Sequence, residues 1–381
     1  MSRKLLDKNF CLIPWTGFEV EPNGKVKNCI ISTESIGNIH NESIVEIVKN
    51  NPLRDQMLKG EYPSNCSGCY LQEKNSSNRF DAISSRLYYT KELANKIPKD
   101  FLDNKDNFVL KHIDLRWTNS CNQACTYCSP YYSSKWATEL GVKIPKDKQS
   151  TARLKDFVYK NISTLENVYL AGGEPLLMRE NKEFLDKLYA ANPNCTIRVN
   201  TNLSKTQTGV MDSICKFKNV HWTVSIDAIG SQYEYIRHHG NWNDFLDNLK
   251  QITTLDHKIS FNMLYFILNY KSIYDSVKFL TGLGFHNNSF VIGPLYNPET
   301  LNVLNLPDEE LELCKKDLGS IIDKKPGFLL QNSLENILTY LTETKFYANI
   351  EATKQTLKKM DLRRKTDYTK VFPELHKGVL N

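Results

Sequence analysis

Residues 115–130, LRWTNSCNQACTYCSP, decide how this chain folds and what it binds. The three cysteines of this stretch, Cys121, Cys125 and Cys128, have the spacing C-x3-C-x2-C, and no fourth cysteine follows nearby. Full ligation of a 4Fe–4S cluster uses four thiolates, so three would leave one iron open to a small molecule. The spacing therefore predicts a cluster that takes part in chemistry rather than one that only stores electrons.

Zinc binding and unpaired core thiols are the alternatives for these three cysteines. A structural zinc site closes with four ligands, usually in two half-motifs. The nearest histidine, His112, lies on the predicted preceding strand, at the wrong end to complete such a site. Inert cysteines sit in apolar runs, whereas this loop is polar. The cluster is the favoured prediction because several other motifs agree with it.

With the motifs that follow, the sequence resembles the radical S-adenosylmethionine (SAM) superfamily. The cysteine motif of that family is C-x3-C-x-aromatic-C, and Tyr127 supplies the aromatic residue. LAGGEPLL at 170–177 is similar to the Gly-Gly-Glu-Pro segment of the family. VNTNLS at 199–204 and WTVSIDAIG at 222–230 extend the resemblance over most of residues 108–300.

The resemblance implies which residues would bind SAM. The glycines of the Gly-Gly-Glu-Pro segment let the backbone approach the methionine part closely, and its glutamate can accept from an ammonium group. Polar residues at strand ends would bind the amino acid and the ribose hydroxyls, although each could equally cap a loop. Arg237 would reach the SAM carboxylate or a substrate. The alternative, that Arg237 is a surface residue of a helix, fits the sequence equally well. The predicted SAM-binding residues are Tyr127, Gly172, Gly173, Glu174, Pro175, Asn202, Ser225, Asp227 and Arg237. No side chain is assigned as catalytic.

Strand patterns and helix patterns alternate through residues 108–300, which predicts an α/β fold with a parallel sheet. Six such units match the partial (β/α)6 TIM-type barrel of the radical SAM family, and the motifs follow strands, where barrel sites gather. A doubly wound sheet would show the same alternation. The six predicted strands are FVLKHIDLRW, NVYLAGG, TIRVNTN, VHWTVSID, KISFNMLYFIL and NSFVIGPLY.

A cysteine-rich module is predicted over residues 1–80. FEVEPNGKVKNC at 18–29 predicts a hairpin with an Asn-Gly turn, which would bring Cys11 back towards Cys29. A second pair, Cys66 and Cys69, has the spacing C-x2-C. Four thiolates can bind zinc or a closed iron–sulfur cluster, and spacing alone favours zinc.

A resemblance reverses that preference for the N-terminal cysteines. PNGKVKNC, GNI and LRDQMLKGEYPSNCSGCY are similar to the SPASM/twitch modules of radical SAM enzymes, which carry auxiliary iron–sulfur clusters. Those modules usually follow the barrel, whereas this one precedes it. This module also has four cysteines rather than seven. The resemblance therefore implies one auxiliary cluster, of the 4Fe–4S type, bound by the four N-terminal cysteines.

The rest of the chain is predicted to be a linker with a helix over 81–107 and a helical extension over 301–381. The extension begins with LPDEELELCKKDLGSIID, which has proline and acids at a helix start, and continues with SLENILTYLTETKFYA. The basic run KKMDLRRK at 358–365 is predicted to be the solvated face of a further helix. It lacks the aromatic residues of a nucleic-acid surface, so no nucleic-acid partner is predicted.

Composition limits the class of protein. The chain has 381 residues, 40% hydrophobic and 24% charged, with a net charge of +6. No stretch approaches the roughly 20 apolar residues that span a bilayer, and the N-terminus has no apolar core of signal-peptide length. These features predict a cytoplasmic protein with no membrane partner. Ten cysteines in such a protein favour metal binding over disulfides.

The predicted function is that of a radical SAM enzyme. It would reductively cleave SAM to a 5′-deoxyadenosyl radical and abstract hydrogen from a peptide or protein side chain, with an electron donor such as flavodoxin or ferredoxin. One alternative is a dehydrogenase or epimerase of a small molecule that uses the same radical. Another is a noncatalytic, metal-stabilised binding protein, against which the intact cysteine triplet and Gly-Gly-Glu-Pro segment argue.

Overall fold

The structure is a computed structural model that describes residues 8–74, 84–144 and 148–380. The chain divides into two compact units. Unit A comprises Met1–Ser120, Ile144–Asn200 and Gln207–His221. Unit B comprises Cys121–Lys143, Thr201–Thr206 and Trp222–Asn381. These units divide the chain differently from the modules expected from the sequence, whose boundaries remain a prediction.

The strands of the described residues include all six that the sequence predicts. They are β1 (Gly17–Val20), β2 (Lys25–Lys27), β3 (Ser35–Asn38), β4 (His112–Leu115), β5 (Asn167–Leu170), β6 (Thr196–Thr201), β7 (Val220–Ser225), β8 (Lys258–Tyr265) and β9 (Phe290–Pro294). Strands β4 to β9 are the predicted ones, and helices follow most of them, so the α/β fold class is confirmed.

The α-helices lie before, between and after these strands. They are α1 (Ile13–Thr16), α2 (Ile44–Lys49), α3 (Pro52–Leu58), α4 (Ser67–Lys74), α5 (Ser85–Leu93), α6 (Ser134–Glu139), α7 (Lys148–Lys160), α8 (Arg179–Ala191), α9 (Gly209–Ile214), α10 (Gly230–Ile236), α11 (Trp242–Thr253), α12 (Ile273–Gly282), α13 (Asp308–Ile322), α14 (Phe328–Glu343), α15 (Ile350–Arg364), α16 (Tyr368–Val371) and α17 (Pro373–Leu375). A short π-helix (His376–Leu380) ends the described chain. No helix in the described ranges is long and apolar enough to cross a bilayer.

The sheet of unit A has the strand order β3-β2-β1-β4-β5-β6. Strands β4 and β5 run parallel, with His112 opposite Asn167 and Leu115 opposite Leu170. Strands β5 and β6 are also parallel, and Leu170 pairs with Val199. The residues of β4 are all buried, as expected for a parallel strand with both faces covered.

The predicted N-terminal hairpin is present, and it joins this sheet. Strands β1 and β2 are antiparallel, and Gly24 in the turn between them has φ +79°, which favours glycine. Strand β1 also pairs in parallel with β4. A Cβ atom at Gly17 would lie 2.4 Å from the carbonyl oxygen of His112, so this pairing requires glycine. The cysteine-rich module thus contributes strands to the same sheet as β4.

Unit B contains the parallel strands β8 and β9, with Phe261 opposite Phe290 and Tyr265 opposite Pro294. The three long helices α13, α14 and α15 follow, as the sequence predicts. Helix α13 begins after Pro307 with three acids in its first turn, where negative charge stabilises a helix.

All ten cysteines have free thiols. Cys195 and Cys314 are buried, whereas Cys215, which follows α9, is exposed. Seven cysteines remain for the candidate sites described next.

Candidate metal centres

The three cysteines Cys121, Cys125 and Cys128 lie in unit B, on the loop that leads to α6. The backbone N–H of Cys128 donates to the carbonyl of Cys125 at 2.9 Å, which folds the last two cysteines into a tight turn. The loop is fixed to the end of α10 because Thr126 N donates to the carbonyl of Ile236 at 2.7 Å. The backbone of the loop is therefore held by hydrogen bonds.

The first turn of α6 braces the same loop. The hydroxyl of Ser134 accepts from Cys121 N at 3.1 Å and donates to Cys121 O at 3.0 Å. The indole Nε1–H of Trp136 donates to the carbonyl of Cys125 at 2.7 Å, and Ser133 caps the helix. These three residues were not predicted from the sequence, although a serine directly before a helix, here Ser133, is a capping signal.

The three thiols are half-buried, in contrast to the N-terminal set described below. Burial raises the pKa of the Cys125 thiol and raises that of Cys128 to about 12. A thiolate in such surroundings requires a nearby positive charge, which bound iron supplies. A donor set of three thiols on one short loop therefore fits an iron–sulfur cluster with one open iron.

Two nitrogen donors lie beside these sulfurs. Nδ2 of Asn202 is 3.8 Å from Sγ of Cys121 and donates to the amide oxygen of Asn122 at 3.2 Å. Nη1 of Arg237 is 4.0 Å from Sγ of Cys125. Both donors belong to unit B, and both are residues that the sequence predicts at the SAM site.

Arg237 is buried rather than exposed on a helix surface, with 4% of its surface accessible. Its Nη2 lies 2.8 Å from Oδ2 of Asp227, and the hydroxyl of Tyr127 donates to the same oxygen at 2.7 Å. The other oxygen of Asp227 accepts from Leu264 N at 2.9 Å. Asp227 thus positions Tyr127 and Arg237, while a contact between Asp227 and ribose stays a prediction. Ser225, at the end of β7, stays a predicted SAM residue.

The Gly-Gly-Glu-Pro segment lies in unit A, directly after β5. Gly172 has φ +111°, which favours glycine. A Cβ atom at Gly173 would lie 2.1 Å from the carbonyl oxygen of Ser120 and 2.6 Å from its carbonyl carbon. Both glycines are therefore required for backbone packing against the residues that precede Cys121, whatever they do toward SAM.

Glu174 and Pro175 form the turn that ends this segment. Glu174 N donates to the carbonyl of Ser120 at 2.7 Å, and Oε1 of Glu174 accepts from Leu176 N at 3.0 Å. The Glu174 side chain is 1% exposed and caps the short 3-10 helix Pro175–Leu177. One carboxylate oxygen of Glu174 therefore has a structural role, and a contact with the SAM ammonium group remains a prediction.

We expect Gly173→Ala to lower the free energy of unfolding by about 1–3 kcal/mol, because the added methyl overlaps the Ser120 carbonyl. Gly319→Ala is the matched control, since Gly319 lies inside α13 with open space around it. That control should raise stability by roughly 1 kcal/mol, the helix-propensity difference. Chemical denaturation measures both values, and equal stabilities for the two variants would contradict this account of Gly173.

The four N-terminal cysteines lie in unit A and line one cavity. All four are buried. Cys11 precedes α1, Cys29 follows β2, Cys66 ends the 3-10 helix Ser64–Cys66, and Cys69 lies in the first turn of α4. Burial raises the pKa of each thiol, to about 12 for Cys66, and the neighbouring cysteines raise it further for Cys11, Cys29 and Cys66. The hairpin and the C-x2-C pair thus meet as predicted.

Two further residues line this cavity and point to what it binds. Asn28 is 1% exposed. Its Oδ1 accepts from Nδ2 of Asn51, whereas its own Nδ2 has no hydrogen-bond partner. Arg86 is buried, forms an ion pair with Glu73, and offsets a small part of the increase that burial causes in the pKa of the Cys11 thiol. An unsatisfied N–H donor and a guanidinium suit the sulfurs of an anionic cluster. Neither residue was predicted from the sequence.

The four thiols of this cavity can supply the four thiolates of a closed 4Fe–4S cluster. Within residues 8–74, 84–144 and 148–380, no group of three or more His, Cys, Asp or Glu is arranged to hold one metal ion.

Comparison with protein families assigns both regions. The family model of the radical SAM superfamily matches residues 115–280. A second model, the iron–sulfur cluster-binding domain SPASM, matches residues 11–70. The N-terminal position expected for the SPASM domain is therefore confirmed, and with it the expected cofactors, 4Fe–4S clusters and SAM.

Individual proteins resemble only part of the chain. The GTP 3′,8-cyclase of Helicobacter pylori is 29% identical over 129 residues, which is 33% of this chain and 37% of the cyclase. Among solved structures, anSMEcpe with bound AdoMet has a TM-score of 0.43 at 14% identity, covering 56% of this chain and 60% of that one. Streptococcus suis SuiB bound to S-adenosylmethionine has a TM-score of 0.41 at 13% identity, covering 66% and 54%.

Proposed function

We propose that this chain, which belongs to the radical SAM superfamily, cleaves SAM reductively and uses the resulting radical to modify a peptide or protein side chain. The ten free thiols and the two iron–sulfur regions support a reducing compartment, the cytoplasm, as its location.

The difference between the two thiol sets carries this proposal. Three half-buried cysteines in unit B can hold a cluster that has an open iron, and four buried cysteines in unit A can hold a closed one. When bound, the open cluster and SAM supply the electron and the radical for hydrogen abstraction. A closed, buried cluster suits electron transfer from or to a substrate rather than SAM binding.

The residues around Cys121, Cys125 and Cys128 support SAM-dependent chemistry because they hold the cysteine loop and the Arg237 guanidinium in fixed positions. The serine and tryptophan side chains of α6 fix the backbone that carries Cys121 and Cys125. Arg237 places a permanent positive charge 4.0 Å from the sulfur of Cys125, which favours the anionic, metal-bound form of that sulfur. The ion pair with Asp227 holds the Arg237 guanidinium in this position.

The SPASM domain supports a peptide substrate. The prediction of peptide modification came from the resemblance to SPASM/twitch modules, and the domain is of this type. Modification of a nucleotide is the second candidate function. It is favoured by the partial similarity to the GTP 3′,8-cyclase, which covers 33% of this chain.

Deuterium transfer distinguishes these two substrate classes. The reconstituted protein is incubated without oxygen with SAM, dithionite and either a deuterated peptide pool or deuterated GTP. Because the radical removes hydrogen from carbon, we expect mass spectrometry to find deuterium in 5′-deoxyadenosine with peptides and none with GTP. Deuterium from GTP alone would replace the peptide proposal by the nucleotide one. Cleavage of SAM without transfer from either pool would overturn the peptide assignment while leaving SAM cleavage intact.

A further inference from the structure

The richest run of positive charge on this chain lies outside both family matches. Between Lys354 and Lys370 the sequence has seven Lys or Arg residues and two Asp residues, so this segment holds most of the net charge of +6. The segment consists of the second half of α15 and the turn into α16. The Asp361 carboxylate contacts two buried tyrosines of the protein, since it accepts from Tyr235 OH at 3.0 Å and from Tyr368 N at 2.9 Å.

The positive side chains lie on the outward side of α15. The helix buries Thr353, Leu357 and Met360 on its opposite side. Leu362 is 85% exposed, in the middle of the charged side chains. We call this surface the basic face; its residues are Lys358, Lys359, Leu362, Arg363 and Lys365, all exposed.

The last turn of α15 is in direct contact with the element that braces the cysteine triplet. The guanidinium carbon of Arg364 lies 4.5 Å from the ring centroid of Trp136, and that of Arg363 lies 5.6 Å away. Both arginines also pair with Glu139 of α6 at 3.1 Å. The Trp136 indole in turn donates to the carbonyl of Cys125. One indole ring thus separates the basic face from the backbone of a cluster ligand, and all these residues belong to unit B.

We propose that the basic face is the docking surface for a small acidic one-electron carrier protein. The carrier loses one electron and the cluster held by Cys121, Cys125 and Cys128 gains it, so the inference rests on the proposed function. Positive charge complements an acidic partner and speeds its encounter. The exposed Leu362 gives the surface an apolar centre within a charged rim, as protein interfaces have. A nucleic acid fits less well, because the face has no aromatic side chain for base stacking.

Charge reversal on this surface tests the proposal with reduced flavodoxin as the probe. The variant Lys358→Glu/Lys359→Glu is compared with Lys316→Glu/Lys324→Glu, which makes the same charge change at exposed lysines in and just after α13. Two readouts are used on the reconstituted protein: the dissociation constant for flavodoxin, and the stopped-flow rate of cluster reduction. At low ionic strength, we expect the dissociation constant to rise about tenfold and the reduction rate to fall about tenfold, in the first variant only. The difference should largely vanish at about 0.5 M salt, because screening removes it.

A dithionite arm separates this inference from the proposed function. Dithionite needs no docking surface, so SAM cleavage with dithionite should be equal in wild type and both variants. Absence of that cleavage in the wild type would count against the proposed function. Normal cleavage with dithionite and equal flavodoxin binding by both variants would overturn the docking surface alone. The docking proposal would also fall if the first variant lost RNA binding in a gel-shift assay but kept its flavodoxin kinetics.

Discussion

Replacing Cys121, Cys125 and Cys128 by alanine will abolish SAM cleavage and remove about half of the iron from the anaerobically reconstituted protein. The wild type should hold roughly eight irons per chain, as two four-iron clusters, and the variant roughly four. The reason is that the three half-buried thiols are the predicted ligands of the cluster that binds SAM, and alanine supplies no sulfur in their place. Iron analysis and chromatographic detection of 5′-deoxyadenosine measure the two effects.

The control for this variant removes three cysteines from elsewhere in the chain. Changing Cys195, Cys215 and Cys314 to alanine deletes the same number of thiols outside both candidate sites. This control should keep its iron and its activity. Wild-type protein that holds a full set of clusters and still fails to cleave SAM would favour the noncatalytic alternative. A content of four irons and one zinc would contradict the auxiliary cluster alone.

Replacing Cys66 and Cys69 by alanine will abolish product formation while sparing the slow, uncoupled formation of 5′-deoxyadenosine. These thiols line the cavity in unit A, whereas the cysteine triplet belongs to unit B. We therefore expect about half of the iron to be lost and the SAM-binding cluster to persist. Product from the substrate identified by deuterium transfer, and 5′-deoxyadenosine without substrate, are measured on the same preparation.

Folding must be checked for this variant, because small metal modules often fold only with metal bound. The variant Asn28→Ala provides a milder test, since it removes the unsatisfied N–H donor of the cavity and keeps all four thiols. We expect Asn28→Ala to retain its iron but to have a lower reduction potential for this cluster. A folded Cys66→Ala/Cys69→Ala protein with normal product formation would show that the N-terminal site is only structural.

Local sequence patterns were sufficient for the fold class and for naming the candidate metal ligands. The C-x3-C-x2-C motif lies within eight consecutive residues, so Cys121, Cys125 and Cys128 could be named as candidate ligands without a structure. The six strands β4 to β9 were predictable for the same reason, since apolar alternation is visible in short windows. The hairpin of β1 and β2 followed from its Asn-Gly turn.

Contacts between distant segments were decided only by the tertiary structure. The pairing of β1 with β4 joins strands far apart in the chain, and nothing local in either strand specifies that partner. Asn28 and Arg86 reach the N-terminal cavity from separate elements, so their role depends on how those elements pack. The sequence could not tell whether Arg237 is a surface residue, whereas packing buries it with Asp227. Spacing along the chain determines which residues can bind a metal, but packing determines which polar and charged side chains surround it.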